Sequence, residues 1–222
     1  VCMNIRQFTG EQRVDEMDRL FSYLGQHETL ESESGGQMDV ITLLKLALAS
    51  ELEASELAGS WMPSTSEVDA KHVFAAQCGD EMRHYALIAR RLEELGVDLT
   101  DFDPLAEGHS PLYQYMRGLR TMVERIAAGP FTSEAIAQVR NRQFIAFCES
   151  VGDTETAKLY REVIQPEEAH HCALGQQILE RYATTPELQE LVASATRTTL
   201  AIADELRTLS EKTTGLQALP VS

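Results

Sequence analysis

Asp80-Glu81-Met82-Arg83-His84-Tyr85-Ala86-Leu87 and Glu167-Glu168-Ala169-His170-His171-Cys172-Ala173-Leu174 carry one pattern twice: an acid, then Glu-x-x-His, then x-Ala-Leu, 87 residues apart. A Glu at i and a His at i+3 share one face of a helix, so each copy can offer a carboxylate and an imidazole to the same cation. At 100° per residue, Gln77, Glu81, His84, Ile88 and Leu95 fall on one edge of a helix whose apolar members define its inward face. Glu81 and His84 are therefore expected to be buried. In the second copy Tyr160, Ile164, Glu168, His171, Ile178, Leu179 and Tyr182 share a broad face. Glu167 and His170 give a slightly rotated alternative, and Glu168 with His171 is preferred because it matches the first copy. Ionised carboxylates in a low dielectric are costly unless something positive holds them, and a multivalent cation does this most directly.

Outward from these motifs the chain reads as helix after helix, with no convincing alternating strand. A first amphipathic segment runs from about Thr9 to Tyr23, followed by a polar loop from Glu31 to Gln37. Helices are expected over about Asp39 to Trp61 and, after the turn Met62-Pro63-Ser64-Thr65 and a cap at Ser66, over about Val68 to Leu95. These two make an antiparallel hairpin. Val97 to Pro111 is a connection long enough to cross one end of a bundle. Helix returns at about Leu112 and is expected to pause at Gly129-Pro130, because proline lacks the amide donor, before resuming at Thr132 or Ser133 as far as Ser150. Its partner runs from about Thr154 to Tyr182 with Pro166 as a kink, and a last helix spans about Pro186 to Lys212 as a cover or a dimer contact. This gives an N-terminal helix and loop at 1–36, a four-helix bundle at 37–182, and a C-terminal helix with a frayed tail at 183–222.

The helix before each motif should add a carboxylate at the same height. Glu51 does so in the first hairpin, on the face of Val40, Leu44, Ala47 and Leu48, whereas Glu53 and Glu56 point away. In the second hairpin Glu134 has the right separation from Glu168, but its phase is far from the stripe of Ile136, Gln143 and Phe147, which Arg140 also joins. Either the irregular start after Pro130 brings Glu134 in, or the fourth carboxylate is absent. Tyr85, Tyr160 and Tyr182 read as core or rim residues, and Cys78 and Cys172 as packing residues.

Glu51, Glu81-x-x-His84 and Glu168-x-x-His171 on helical hairpins resemble the ferritin-like di-iron carboxylate superfamily, over about residues 38–182. Within it, the stretches Gln165-Pro166-Glu167-Glu168-Ala169-His170-His171 and Phe131-Thr132-Ser133-Glu134-Ala135-Ile136 look like a bacterial group usually described only by fold. The resemblance implies an all-α, ferritin-like four-helix bundle of two antiparallel hairpins holding two iron ions, or manganese. Glu81 and Glu168 would bridge them, with His84 and His171 terminal and Glu51 on the first metal. It implies O2-dependent oxidation of a small organic substrate, with ferroxidase or metal handling as the alternative, and a non-enzymatic bundle with a degraded site as a third reading.

Composition narrows the partners. With 35 acidic and 19 basic side chains the formal charge is −16, a field that repels phosphate backbones. A nucleic-acid partner is not expected, and this weighs against a further resemblance, at the Glu-x-Arg-His level, to tRNA-modifying hydroxylases. The longest apolar run, Val40 to Leu48, is broken by Thr42 and Lys45 and is far shorter than the roughly 20 residues that cross a bilayer, so no membrane span is expected. The start, Val1-Cys2-Met3-Asn4, shows no charged n-region or apolar h-region, and the four dispersed cysteines show no CxxC pair. A cytoplasmic homodimer is the expectation.

Overall fold

The computed structural model describes residues 39–214, with side chains through 206. The expected helix at Thr9–Tyr23 lies outside the described residues. Among the described residues the regular structure is entirely helical. Asp39 opens α1 (Val40–Trp61) by accepting from the Thr42 amide at 2.9 Å, satisfying one of the free donors at a helix start. After the 62–67 turn, α2 (Val68–Glu94) packs back along α1. Its N-cap is Glu67, which makes no side-chain cap bond, rather than Ser66. Gly96 ends it at φ 84°, a left-handed conformation that costs glycine little.

The connection that follows leads into α3 (Pro111–Arg117), capped by Ser110 and opened by proline, where the missing amide is not needed. The single helix expected from Leu112 is interrupted. Thr121 adopts extended backbone and forms a reciprocal capping box with Glu124, which starts a separate short α4 (Met122–Ile126). Nor does the chain pause at Pro130. It continues as a π-helical stretch, Ala127–Ser133, directly into α5 (Glu134–Ser150). An α-helical turn would leave one carbonyl without the proline donor and press the ring against it; the wider π turn carries the helix through. The same device precedes Pro166: α6 (Thr154–Leu159) passes through a π turn, Tyr160–Ile164, into α7 (Gln165–Tyr182). α8 (Pro186–Thr214) lies over the first π turn and the short helices, as a cover for that end.

Close packing fixes these irregular turns. An added Cβ on Gly175 of α7 would stand 3.0 Å from the backbone of both Pro130 and Phe131, and one on Gly129 would meet the Trp61 ring at 2.9 Å. The apolar interior is divided in two. One cluster joins Leu57, Trp61, Phe74, Ile126, Phe131 and Leu179; the other joins Leu44, Leu48, Ile88, Leu92, Phe144 and Ile164. Along all four long helices a polar layer lies between them, and that layer holds the motif residues. None of the described helices is long and apolar enough to cross a membrane.

Candidate metal centre

Four carboxylates and two imidazoles converge in the polar layer. α1 contributes Glu51, α2 Glu81 and His84, α5 Glu134, and α7 Glu168 and His171, all buried and both histidines at 0% exposure. Glu51, Glu81, His84 and Glu168 each offer an atom within 4.8 Å of the others; so do Glu81, Glu134, Glu168 and His171. The two sets share Glu81 and Glu168. Either could hold a metal ion.

All five residues expected from the motifs therefore come together, and Glu134 joins them. The stripe of Ile136, Gln143 and Phe147 is not the inner edge of α5. Glu134, Gln138, Phe144 and Cys148 form that edge, while Gln143 and Phe147 are only half-buried. At its N-terminal end α5 is covered on several sides, so Glu134, Ala135 and Ile136 are all buried and apolar phase cannot single out one face. Gln77, buried beside Glu134, donates its amide to that carboxylate.

The rotated alternative, Glu167 with His170, has a different place. His170 is exposed. Glu167 accepts from His84 Nε2 at 2.7 Å, while His84 Nδ1 faces the cluster, 3.1 Å from Glu81 and 3.4 Å from Glu51. The mirror contact joins His171 Nε2 to Asp80 at 3.1 Å, with His171 Nδ1 turned inward, 3.4 Å from Glu81. The acid that opens each motif thus holds the imidazole of the other motif. Pairing 80 with 171 and 84 with 167 means that α2 and α7 run antiparallel. Arg83 ties the two outer acids, contacting Glu167 and, at 3.4 Å, Asp80. A carboxylate on the far nitrogen fixes a ligand histidine in orientation and tautomer, leaving the inner nitrogen free for a cation.

Protonation without a cation shows how uneasy these groups are. Burial, with help from the neighbouring Glu81, pushes the Glu51 carboxyl up to about 8. Burial and the repulsion of Glu81 and Glu51 also push Glu134 well above the carboxylate range. Burial opposes charge on Glu81 as well, but the imidazoles of His171 and His84 beside it outweigh burial and hold Glu81 well below its ordinary value. His84 is disfavoured as a cation by burial, yet Glu51 and Glu81 raise it to about 11; His171 is raised in the same sense, chiefly by Glu81. Even so, Glu81 Oε1, Glu134 Oε2 and His171 Nδ1 are buried with no hydrogen-bond partner. Orphaned acceptors facing an orphaned imidazole nitrogen fit a divalent cation, which would satisfy all of them together.

A cavity of about 950 Å³ reaches the cluster from the α1–α5 side, and Glu51, Glu81, Glu134 and Glu168 form part of its wall. Neither histidine does. The outer acids and Arg83 cover the imidazole side, and the cavity reaches the carboxylate side. The phenol of Tyr160 is fully buried without a partner and is pushed well above its ordinary pKa by burial and by Glu51, whereas Tyr182 bonds Asp69 away from the cluster. Cys78, Cys148 and Cys172 are thiols rather than disulfides, and the Cys172 thiol donates to the Phe131 carbonyl at 3.5 Å.

Neither the curated proteins nor the solved structures contain a match to this sequence. Residues 32–207 match the family described as "Protein of unknown function (DUF455)", and the chain belongs to that family.

Proposed function

We propose that this is a ferritin-like bundle whose polar layer holds two iron ions, or manganese, and that it acts as an O2-dependent oxidoreductase on a small organic molecule. The observation that carries this reading is the overlap of two four-residue ligand sets on Glu81 and Glu168, open on one side to a cavity. Glu81 and Glu168 would bridge the ions, Glu51 and His84 would complete one site, and Glu134 and His171 the other. Iron held by these residues would supply redox chemistry with O2.

The chain's own residues do the rest. Asp80 and Glu167 each hold a proton on the outer nitrogen of a histidine, so that the inner nitrogen keeps its lone pair toward the centre. Gln77 steadies Glu134. The two apolar clusters above and below exclude water from the layer, and the cavity is of a size that suits a small organic ligand. A bundle with a degraded site loses its main support, because that reading rested on a missing fourth carboxylate. Iron handling is the remaining competitor, favoured by the −16 charge.

Elemental analysis of the purified chain tests the centre directly. Two ions per chain are expected, with loss of both in Glu81→Ala and of at least one in His171→Ala; full metal content in both variants refutes the assignment. O2 uptake that needs an organic reductant or substrate favours the oxidoreductase, and uptake driven by Fe(II) alone favours iron handling.

A further inference from the structure

The reciprocity of the two motifs fails at one position. Asp80 and Glu167, Glu81 and Glu168, and His84 and His171 stand in equivalent places, each 87 residues from its counterpart. One turn before the shared glutamate the first motif has Gln77 and the second has Ile164, again 87 residues apart. Gln77 is 3% exposed, and its amide donates to Glu134 Oε1 on the other hairpin. Ile164 is fully buried in the apolar cluster that includes Leu48, three residues before Glu51, and has nothing to donate. Gln165, the next residue, turns its amide to the Gln138 carbonyl at 3.2 Å, and the Tyr160 phenol has no partner. Among the described residues, then, Glu134 is held from outside the cluster and Glu51 is not. The close contacts of Glu51 are the cluster's own His84, at 3.4 Å, and Glu81. Glu51 is also the more open of the two, its side chain 11% exposed against 5% for Glu134.

We propose that Gln77 makes the two half-sites unequal: Glu134 and His171 hold a fixed ion, whereas Glu51 and His84 hold an exchangeable one, at which a small ligand entering the cavity binds. This rests on the reading of the polar layer as a two-ion centre, and it says which half of that centre an incoming molecule meets. Gln77 acts through Glu134 and is a positioning residue. A carboxylate already oriented by a donor loses little freedom when it takes up an ion, and removing such an outer partner costs about 10–100-fold in metal affinity. Glu51 is backed by hydrocarbon, so only the ion itself orders it. It can turn toward the cavity without breaking a hydrogen bond to the surrounding protein, which frees a position beside His84. His84 stays in place, because Glu167 accepts from its outer nitrogen at 2.7 Å. The reverse assignment would pull Glu134 away from Gln77 and leave a buried amide unpaired.

Cobalt(II) titration of the metal-free full chain reads the two half-sites in the visible spectrum, with Glu51→Ala and Glu134→Ala marking which bands belong to which. The Glu134–His171 half-site should fill first, at least about tenfold tighter than its counterpart. Gln77→Leu, which repeats the apolar contact of Ile164, should weaken that half-site about 10–100-fold, leave the bands and affinity of the other unchanged, and abolish or reverse the order of filling. A purely structural role for Gln77 would not move one half-site alone. Azide added to the fully loaded parent chain, a measurement that needs no variant, should shift only the bands of the Glu51–His84 half-site. Filling of Glu51–His84 first, an azide shift at the other half-site, or a loss in Gln77→Leu shared by both half-sites overturns the proposal. Two ions that bind the parent without order overturn the inequality and leave the two-ion centre standing, whereas a parent chain that takes up no cobalt refutes the centre and the inequality with it.

Discussion

The two hairpins supply equivalent groups to one centre but are built differently. In the first, α1 and α2 run 22 and 27 residues without interruption. Glu51, Gln77, Glu81 and His84 fall where a constant 100° per residue puts them. In the second, both helices of the hairpin pass through a π turn, one containing Pro130 and one just before Pro166, and the first ligand, Glu134, comes directly after the first of them. The contrast teaches that a constant period locates buried charge only where the helix is uniform and covered on one side.

The largest effect that could sharpen this comparison is pH. In the first half-site Glu51 at about 8 and His84 at about 11 both carry protons below pH 8 when no cation is bound. A cation must displace both, so its affinity there should rise by about 100-fold per pH unit up to about pH 8 and by about tenfold per unit above it, with protons released on binding. Glu134 and His171 are raised in the same direction, so the second half-site should lose metal on the same acid side. Proton release in weakly buffered dye solution during metal titration checks it; no release would mean the half-sites are not proton-loaded.

Next in size is a crossed effect. Asp80→Asn, on the first hairpin, should weaken metal at the His171 half-site by about 10–100-fold, and Glu167→Gln, on the second, should do so at His84. Spectroscopy of cobalt-substituted protein resolves which site changes. If each variant affects its own hairpin instead, the reciprocal arrangement is wrong. The smallest effect separates the regular helix from the irregular one. Gly175→Ala, whose Cβ would press on the π turn, should cost about 1–3 kcal/mol in urea denaturation. Gly79→Ala on α2 meets nothing within 4 Å and should stabilise by about 0.5–1 kcal/mol.

Much of the architecture was legible because it rests on local signals. The α2 end at Gly96, the turn after Trp61 and the start of α6 at Thr154 are written in a few local residues. Convergence of Glu51, Glu81, His84, Glu168 and His171 followed from the repeated motif and one phase argument. The break at Thr121 was missed although its capping box, Thr121 with Glu124, is a sequence signature. Continuity through Pro130 was not legible, since proline usually ends a helix and only the packing of Gly175 and Trp61 around the turn fixes the alternative. Glu134 was obscured for a tertiary reason: Glu134, Ala135 and Ile136 are all buried where α5 begins, so apolar phase does not single out one inward face there. The roles of Asp80 and Glu167 could have been suspected from the acid that opens both motifs, but the crossing of partners requires knowing that α2 and α7 are antiparallel.

That crossing has a consequence for what a smaller protein could do. Since each hairpin lends its outer acid to the other's imidazole, one hairpin alone has a histidine with nothing behind it and half the carboxylates. Two copies of one hairpin related by a twofold axis between the shared glutamates would restore the reciprocal pairing of outer acid and imidazole.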